Sequence, residues 1–359
     1  MSDIPSTQAV SPGPSGPGED RARATTEAVR AEPRDAAAAD RGAALRQKLG
    51  PFGVPAITLV IIAVFSLLSD DFLQSANLQD ILRQSALSLI VAVGLTVPLI
   101  MGDFDLSIAA VAGFATTVVS VLIAREGMPL IVGIALLLLI GLGIGFFNGI
   151  LVAWIGMSAL VVTIAVGSVL NGLEFAFAGS QQISSGFPPG FVSFARSMIG
   201  PIPTLFVIAI AIAVVIWVML ERTALGRNMR AIGGNAEATR IAGIDVRKVR
   251  LLGFMLCSGL AAAAGILYAG QQAVAYPLTG LNVLLPSFAA VFIGAAAFKI
   301  GEFNIPGTVV GILIASIINN GLLLINVASW AVYIFQGAIL LVALLFARIV
   351  ARTGSPQGM

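Results

Sequence analysis

The chain has 359 residues, of which 58 % are apolar and only 11 % charged, whereas soluble domains carry about 25 % charge. With a mean hydropathy of +0.98, this composition excludes a soluble globule and defines an integral membrane protein, since each helical crossing needs about 20 apolar residues. Twenty basic against 18 acidic residues leave a net charge of only +2, which points to no nucleic-acid partner, and the absence of histidine together with a single cysteine excludes His-based metal sites, His general bases and an intrachain disulfide.

Residues 1–50 hold five prolines, no aromatics, and seven basic plus seven acidic residues. So little apolar surface cannot offset the entropy of ordering, and a disordered cytoplasmic tail is expected. From residue 51 to about 350 the chain reads as one all-α polytopic membrane domain, followed by a cytoplasmic tail at 351–359. Apolar runs fall at roughly 53–69, 84–101, 107–124, 129–155, 158–179, 201–220, 249–270, 283–298, 306–325 and 328–347. They predict about 10 transmembrane helices, with eight or nine full spans and one broken helix as the alternative, because Gly and Pro interrupt several runs.

Basic residues set the orientation. With both termini inside, the cytoplasmic side collects the seven basic residues of the tail, seven between Arg222 and Arg250, Lys299, Arg348 and Arg352, leaving Arg83, Arg125 and Arg196 outside. Once the segment ends are assigned, one formal charge remains within the spans, Glu174. It serves a polar pathway or coupling ion, or it lies near the outer interface and reaches headgroup water.

The longest polar break, the loop 221–250, reads as a short helix laid between two spans. Gly233 and Gly234 supply a sharp turn, Asn235 an N-cap, Glu237 a first-turn anion, Arg240 a last-turn cation and Gly243 a left-handed stop. Small Ala236, Ala238 and Ala242 and apolar Ile241 are presented on the surface of this two-turn helix. The alternative is a basic loop that only holds its spans in orientation. Asp103 and Asp105, two apart between apolar runs, belong either to a broken helix lining a pathway with Ser107 or to a tight turn in which Asp105 caps the third span. Asn148, Asn319 and Asn320 sit in or beside spans, where amides bridge helices; their donors and acceptors would also suit a hydroxylated solute.

The stretch Thr223–Gly270, with GRNMRAIGGNAEATRIAGIDVRKVR followed by LLGFMLCSGLAAAAGILYAG, resembles the permease subunits of bacterial ATP-binding-cassette importers for ribose and other simple sugars, a group related to branched-chain amino acid permeases. GDFDLS at Gly102–Ser107, NGILVAWIG at Asn148–Gly156 and NNGLLLI at Asn319–Ile325 agree in order, so the resemblance covers roughly 53–350. It implies a type II ABC importer-like fold and a cytoplasmic coupling helix that docks into an ABC ATPase subunit, with that role falling on Gly233, Gly234, Asn235, Glu237, Ala238, Thr239, Arg240, Gly243 and Ile244. It further implies a homodimer in the lipid of the bacterial inner membrane, an extracytoplasmic solute-binding protein, and a chain that is not itself an enzyme. The chain departs from the family's usual Gly-Gly-Ile-Asp-Leu-Ser-Val-Gly, reading Gly102-Asp103-Phe104-Asp105-Leu106-Ser107-Ile108-Ala109, with an extra carboxylate and a lost glycine.

No Gly-Lys pair occurs, so the chain has no phosphate-cradling loop of that type. ATP and Mg are therefore expected on the partner ATPase, with no cofactor or metal here. The rival from another class is an ion-coupled secondary transporter using Glu174 or Asp105. An intramembrane enzyme lacks the histidine that a serine dyad or a zinc motif needs.

Overall fold

In the computed structural model, residues 56–295 and 301–354 are described. The expected N-terminal tail, Lys299 and residues 355–359 lie outside them. Twelve helices follow in order: α1 (Ala56–Leu68), α2 (Ser75–Ile100), α3 (Ser107–Ser120), α4 (Leu130–Ala153), α5 (Ala159–Ala178), α6 (Pro189–Arg196), α7 (Thr204–Arg222), α8 (Ala224–Ile241), α9 (Val246–Gln272), α10 (Leu281–Ala295), α11 (Ile305–Leu324) and α12 (Ser329–Gly354). A two-residue hairpin, Met198–Ile199 with Ile202–Pro203, joins α6 to α7.

The ten apolar runs recur as ten apolar helices, but among the described residues seven are long and apolar enough to cross a membrane: α2, α3 with its π-helical last turn Val121–Arg125, α4, α5, α7, α9 and α11. The apolar stretches Ala56–Leu68, Leu281–Ala295 and Ser329–Leu345 are shorter. The helix boundaries also correct the sequence reading. The second helix starts at Ser75 rather than near 84, because Ser75–Gln84 is a polar helical approach that hydropathy alone does not register, and α12 runs on through Gly354 into the expected tail.

Local chemistry fixes several ends. Asp245 caps α9, its Oδ1 accepting from Lys248 N–H at 3.1 Å, and Asn304 caps α11, accepting from Gly307 N–H at 2.8 Å. Helices α2 and α3 form the centre. Helix α9 packs against α2, α3 and α4; α5 covers α3; α7 and α11 flank α2; and α10 joins α11 and α12. The main apolar cluster runs through Leu89, Ile90, Leu95, Ile108, Phe114 and Ile266. Several hydroxyls in this core are satisfied locally or across helices: Thr96, Thr116 and Ser120 donate to the carbonyls four residues back, and the Thr96 and Thr308 hydroxyls join α2 to α11 at 3.0 Å.

Charge divides between the two ends of the bundle. Arg125 donates to the Ala178 carbonyl at the end of α5, and Arg196 donates to Gln271 and Gln272 at the end of α9, while Gln271 reaches the Arg83 carbonyl. All three arginines expected on one side thus gather at one end; Arg125 and Arg196 complement helix C-termini there, while Arg83 pairs with Asp80 on its own helix. The opposite end carries α8 and the basic residues from Arg222 to Arg250.

Candidate functional site

The break 221–250 folds into two helical pieces. Thr223 is extended and its hydroxyl accepts from Gly226 N–H at 3.3 Å, which starts α8. Arg230 reaches back to Glu221 with both terminal guanidinium nitrogens, tying α8 to the end of α7. At Asn235 the backbone leaves helical geometry (φ −159°, ψ 101°), and the side-chain Oδ1 accepts from Ala238 N–H at 2.9 Å. A second, short helical piece starts there, and Gly243 follows its end with φ +85°.

The turn was expected on Gly233 and Gly234, but both are helical. The break falls at Asn235 because its amide competes with the backbone for the N–H groups of the next turn. Gly233 serves another purpose: a Cβ there would collide with the Ile100 carbonyl oxygen, so the missing side chain lets α8 back directly onto the end of α2. Substituting Asn235 by Ala is expected to cost the second piece about 1 kcal/mol, read as roughly fivefold faster hydrogen exchange at Ala238–Ile241. Unchanged exchange would show that the cap does not hold this turn.

The surface of this piece has a defined character. Ile241 is 78 % exposed, with Ala238 and Ala242 beside it. Glu237 and Arg240 are hydrogen-bonded in an exposed pair (Arg240 Nε to Glu237 Oε2, 3.1 Å), and that bond holds the Glu237 carboxyl below the usual range. Of the nine residues assigned to this element, Thr239 faces inward, its hydroxyl donating to Asn235 O at 2.7 Å, and Ile244 packs against the core.

Next to α8 lies the corner between α2 and α3. Gly102 takes φ +83°, and Asp103 N–H donates to Pro98 O at 3.0 Å. The Asp103 carboxylate lies 3.1 Å from Arg250 Nε, an ion contact in which the N–H is not aimed at the oxygen. Burial pushes the Asp103 carboxyl up from its ordinary range and Arg250 opposes that shift. Asp105 is fully buried; its Oδ1 accepts from Ser107 N–H at 2.9 Å and from Ser107 Oγ at 2.6 Å, and Asn148 Nδ2 donates to the same Oγ at 2.9 Å. The Cys257 thiol faces this carboxylate. Asp105 therefore acts as the end acceptor of α3 and, with Asn148, ties the corner to α4.

Glu174 occupies a different place. It is fully buried, which overturns the reading in which it reaches headgroup water. Its Oε2 accepts from Leu278 N–H at 2.7 Å and from Thr117 Oγ1 at 3.4 Å, and Gly113 leaves room for Oε1. Leu278 lies on a strap, residues 273–280, in which Ala273 (φ 52°) and Leu278 (φ 68°) both take left-handed backbone; Ala275 pairs with Ile183. A buried carboxylate thus anchors a strained connection between α9 and α10.

The expected pathway residues do not converge. Asp103, Asp105, Ser107 and Asn148 form one cluster beside α8. Glu174 lies toward the other end of α3. Asn319 accepts from Gln336 Nε2 at 3.1 Å, joining α11 to α12, and buried Asn320 sits beside it near the end of α11. Missing from the sequence reading is a stripe at Gly141, Gly145 and Gly149 on α4, where α9 approaches backbone to backbone; its i, i+4, i+8 spacing was the available signal.

This architecture is an all-α polytopic membrane permease with a capped surface helix at one end. Residues 77–344 match the family described as "Branched-chain amino acid transport system / permease component", and the chain belongs to that family. It is 33 % identical to the ribose import permease protein RbsC of Escherichia coli K12 over 80 % of this chain and 90 % of that protein. It is also 33 % identical to RbsC of Bacillus subtilis 168 (84 % and 93 % covered) and 30 % identical to the galactose/methyl galactoside import permease protein MglC of Escherichia coli K12 (81 % and 92 %). No solved structure gives a significant match.

Proposed function

We propose that the chain is the membrane-spanning subunit of an ATP-driven importer for a monosaccharide or related polyhydroxylated solute. The names of the relatives above support the solute class. The observation that carries the mechanism is the second piece of α8: a capped turn that exposes Ile241 among small residues while its preceding glycine backs onto α2. An exposed apolar anchor on a rigid element suits a protein partner. In this reading the partner is the ATPase, which binds ATP and Mg and whose closure moves α8, switching the permease between outward and inward access.

The end carrying α8 then faces the cytoplasm of a bacterial inner membrane, with both chain termini on that side; the charge division between the two ends supports this orientation. Two copies form the pathway, and a solute-binding protein delivers solute at the end carrying Arg83, Arg125 and Arg196. The test is co-purification from membranes containing the ATPase. Substituting Ile241 by Asp is expected to reduce the ATPase recovered by tenfold or so, about the effect of losing an interface anchor, while the permease still accumulates in the membrane. Full recovery of the ATPase on that variant, or solute uptake driven by an ion gradient without any ATPase, would defeat the reading.

A further inference from the structure

Resting on α8 as the docking element, we propose that the Asp103–Arg250 ion contact is a strut that makes the α2–α3 corner follow α8 and α9, so that Asp103 is a positioning residue for transport. The chain from α8 into α9 touches the corner at four points. Gly233 backs onto the Ile100 carbonyl, Arg250 meets Asp103, Gly253 lies under the Met101 side chain, and the Cys257 thiol faces Asp105. Arg250, Gly253 and Cys257 are spaced by three and four residues, so one face of α9 runs along the corner.

These contacts differ in what they can transmit. The close approaches at Gly233 and Gly253 are steric, so they push the corner when α8 and α9 advance but exert no grip when these retreat. Cys257 offers a weak S–H donor. Opposite charges attract at every separation, and because Arg250 Nε–H is not aimed at Asp103, the pull does not rest on hydrogen-bond geometry that a small sliding motion would break. The Asp103 side chain is 9 % exposed and that of Arg250 28 %, so protein shields the pair in part from salt. The strut is thus the contact suited to drawing the corner back, and with it Asp105, Ser107 and the start of α3. The carboxylate at 103 is the one by which this chain exceeds the pattern it otherwise resembles, so the strut would be a property of this chain.

The experiment uses the full chain in complex with its ATPase, carrying an environment-sensitive fluorophore on a cysteine at Phe104, which is 40 % exposed on the corner, whereas Cys257 is buried. ATP with vanadate is the probe, so the result does not depend on knowing the solute. The wild-type corner is expected to give an emission change. D103N and R250Q are expected to keep the ATPase bound and to lose about tenfold of that amplitude, the size of a typical coupling between sites, and the exchanged pair D103R/R250D is expected to restore most of it. The proposal is overturned if the wild-type corner gives no change, if the single variants respond within about twofold of wild type, or if the exchanged pair is no better than either single change. Should D103N fail to accumulate, the exchanged pair decides: accumulation with response supports the strut, and accumulation without response overturns it. Failure of the wild-type chain to retain the ATPase would instead defeat the docking reading, a result visible before any substitution is made.

Discussion

Substituting Gly145 by Leu is expected to destabilise the detergent-solubilised protein by about 3 kcal/mol or more, enough to leave little of it monodisperse. Helix α4 is so uniformly apolar that its hydropathy does not say which side meets protein. The glycines decide it. A Cβ at Gly145 would stand 2.6 Å from Met255 Cα and collide with the Phe254 carbonyl, one at Gly149 would stand 2.9 Å from Leu251 Cα, and one at Gly141 would stand 3.1 Å from the Ser258 carbonyl. Between lipid-embedded helices no hydrophobic gain drives association, so this backbone approach and its dispersion contacts hold α4 on α9. Gly143, two residues away, is the control: nothing lies within 4 Å of a Cβ there, and Gly143→Leu is expected to change stability by less than about 0.5 kcal/mol. Thermal unfolding followed by size-exclusion chromatography measures both. If the two variants behave alike, the stripe is not the interface.

Substituting Glu174 by Ala should lower stability by about 2 to 3 kcal/mol, because Leu278 N–H would lose its 2.7 Å acceptor inside the protein and the left-handed Leu278 its tie to α5. Glu174→Gln keeps an acceptor oxygen and is expected to cost under about 1 kcal/mol. The same thermal measurement separates them, and proteolysis within 273–280 should rise in the Ala variant alone. An Ala variant as stable as wild type would mean that the carboxylate does not anchor the strap, and it would reopen the ion-carrier reading of this residue.

The sequence made the helices legible where the signal was oiliness, which is why ten apolar runs returned as ten apolar helices. It was silent on which of them lie inside: α2 and α3 are enclosed by protein while α4, α5 and α7 expose much of their surface, and hydropathy averages over the whole circumference of a helix. Short-range polar chemistry was also readable. Asn235 and Gly243 stand at the cap and stop that their side-chain chemistry suggested, and Asp105 accepts at the head of α3. The turn at Gly233–Gly234 was misplaced because a glycine needed for close approach looks, in sequence, like one needed for flexibility. Long-range pairing was not readable: nothing local to Glu174 points to Leu278, 104 residues away, and nothing local to Asp103 points to Arg250.

The hydroxyls of the central helices carry a consequence for biosynthesis. Thr96, Thr116 and Ser120 each bond a carbonyl of their own helix, four residues back, at 2.7–2.9 Å. A nascent α2 or α3 can therefore leave the insertion machinery with these groups already quenched and wait in oil for α9, which the ribosome makes more than a hundred residues later. Glu174 on α5 instead takes its bonds from Thr117 of α3, already made, and from Leu278 of the α9–α10 strap, 104 residues further on, so its carboxylate gains its shorter bond only once that strap has been synthesised.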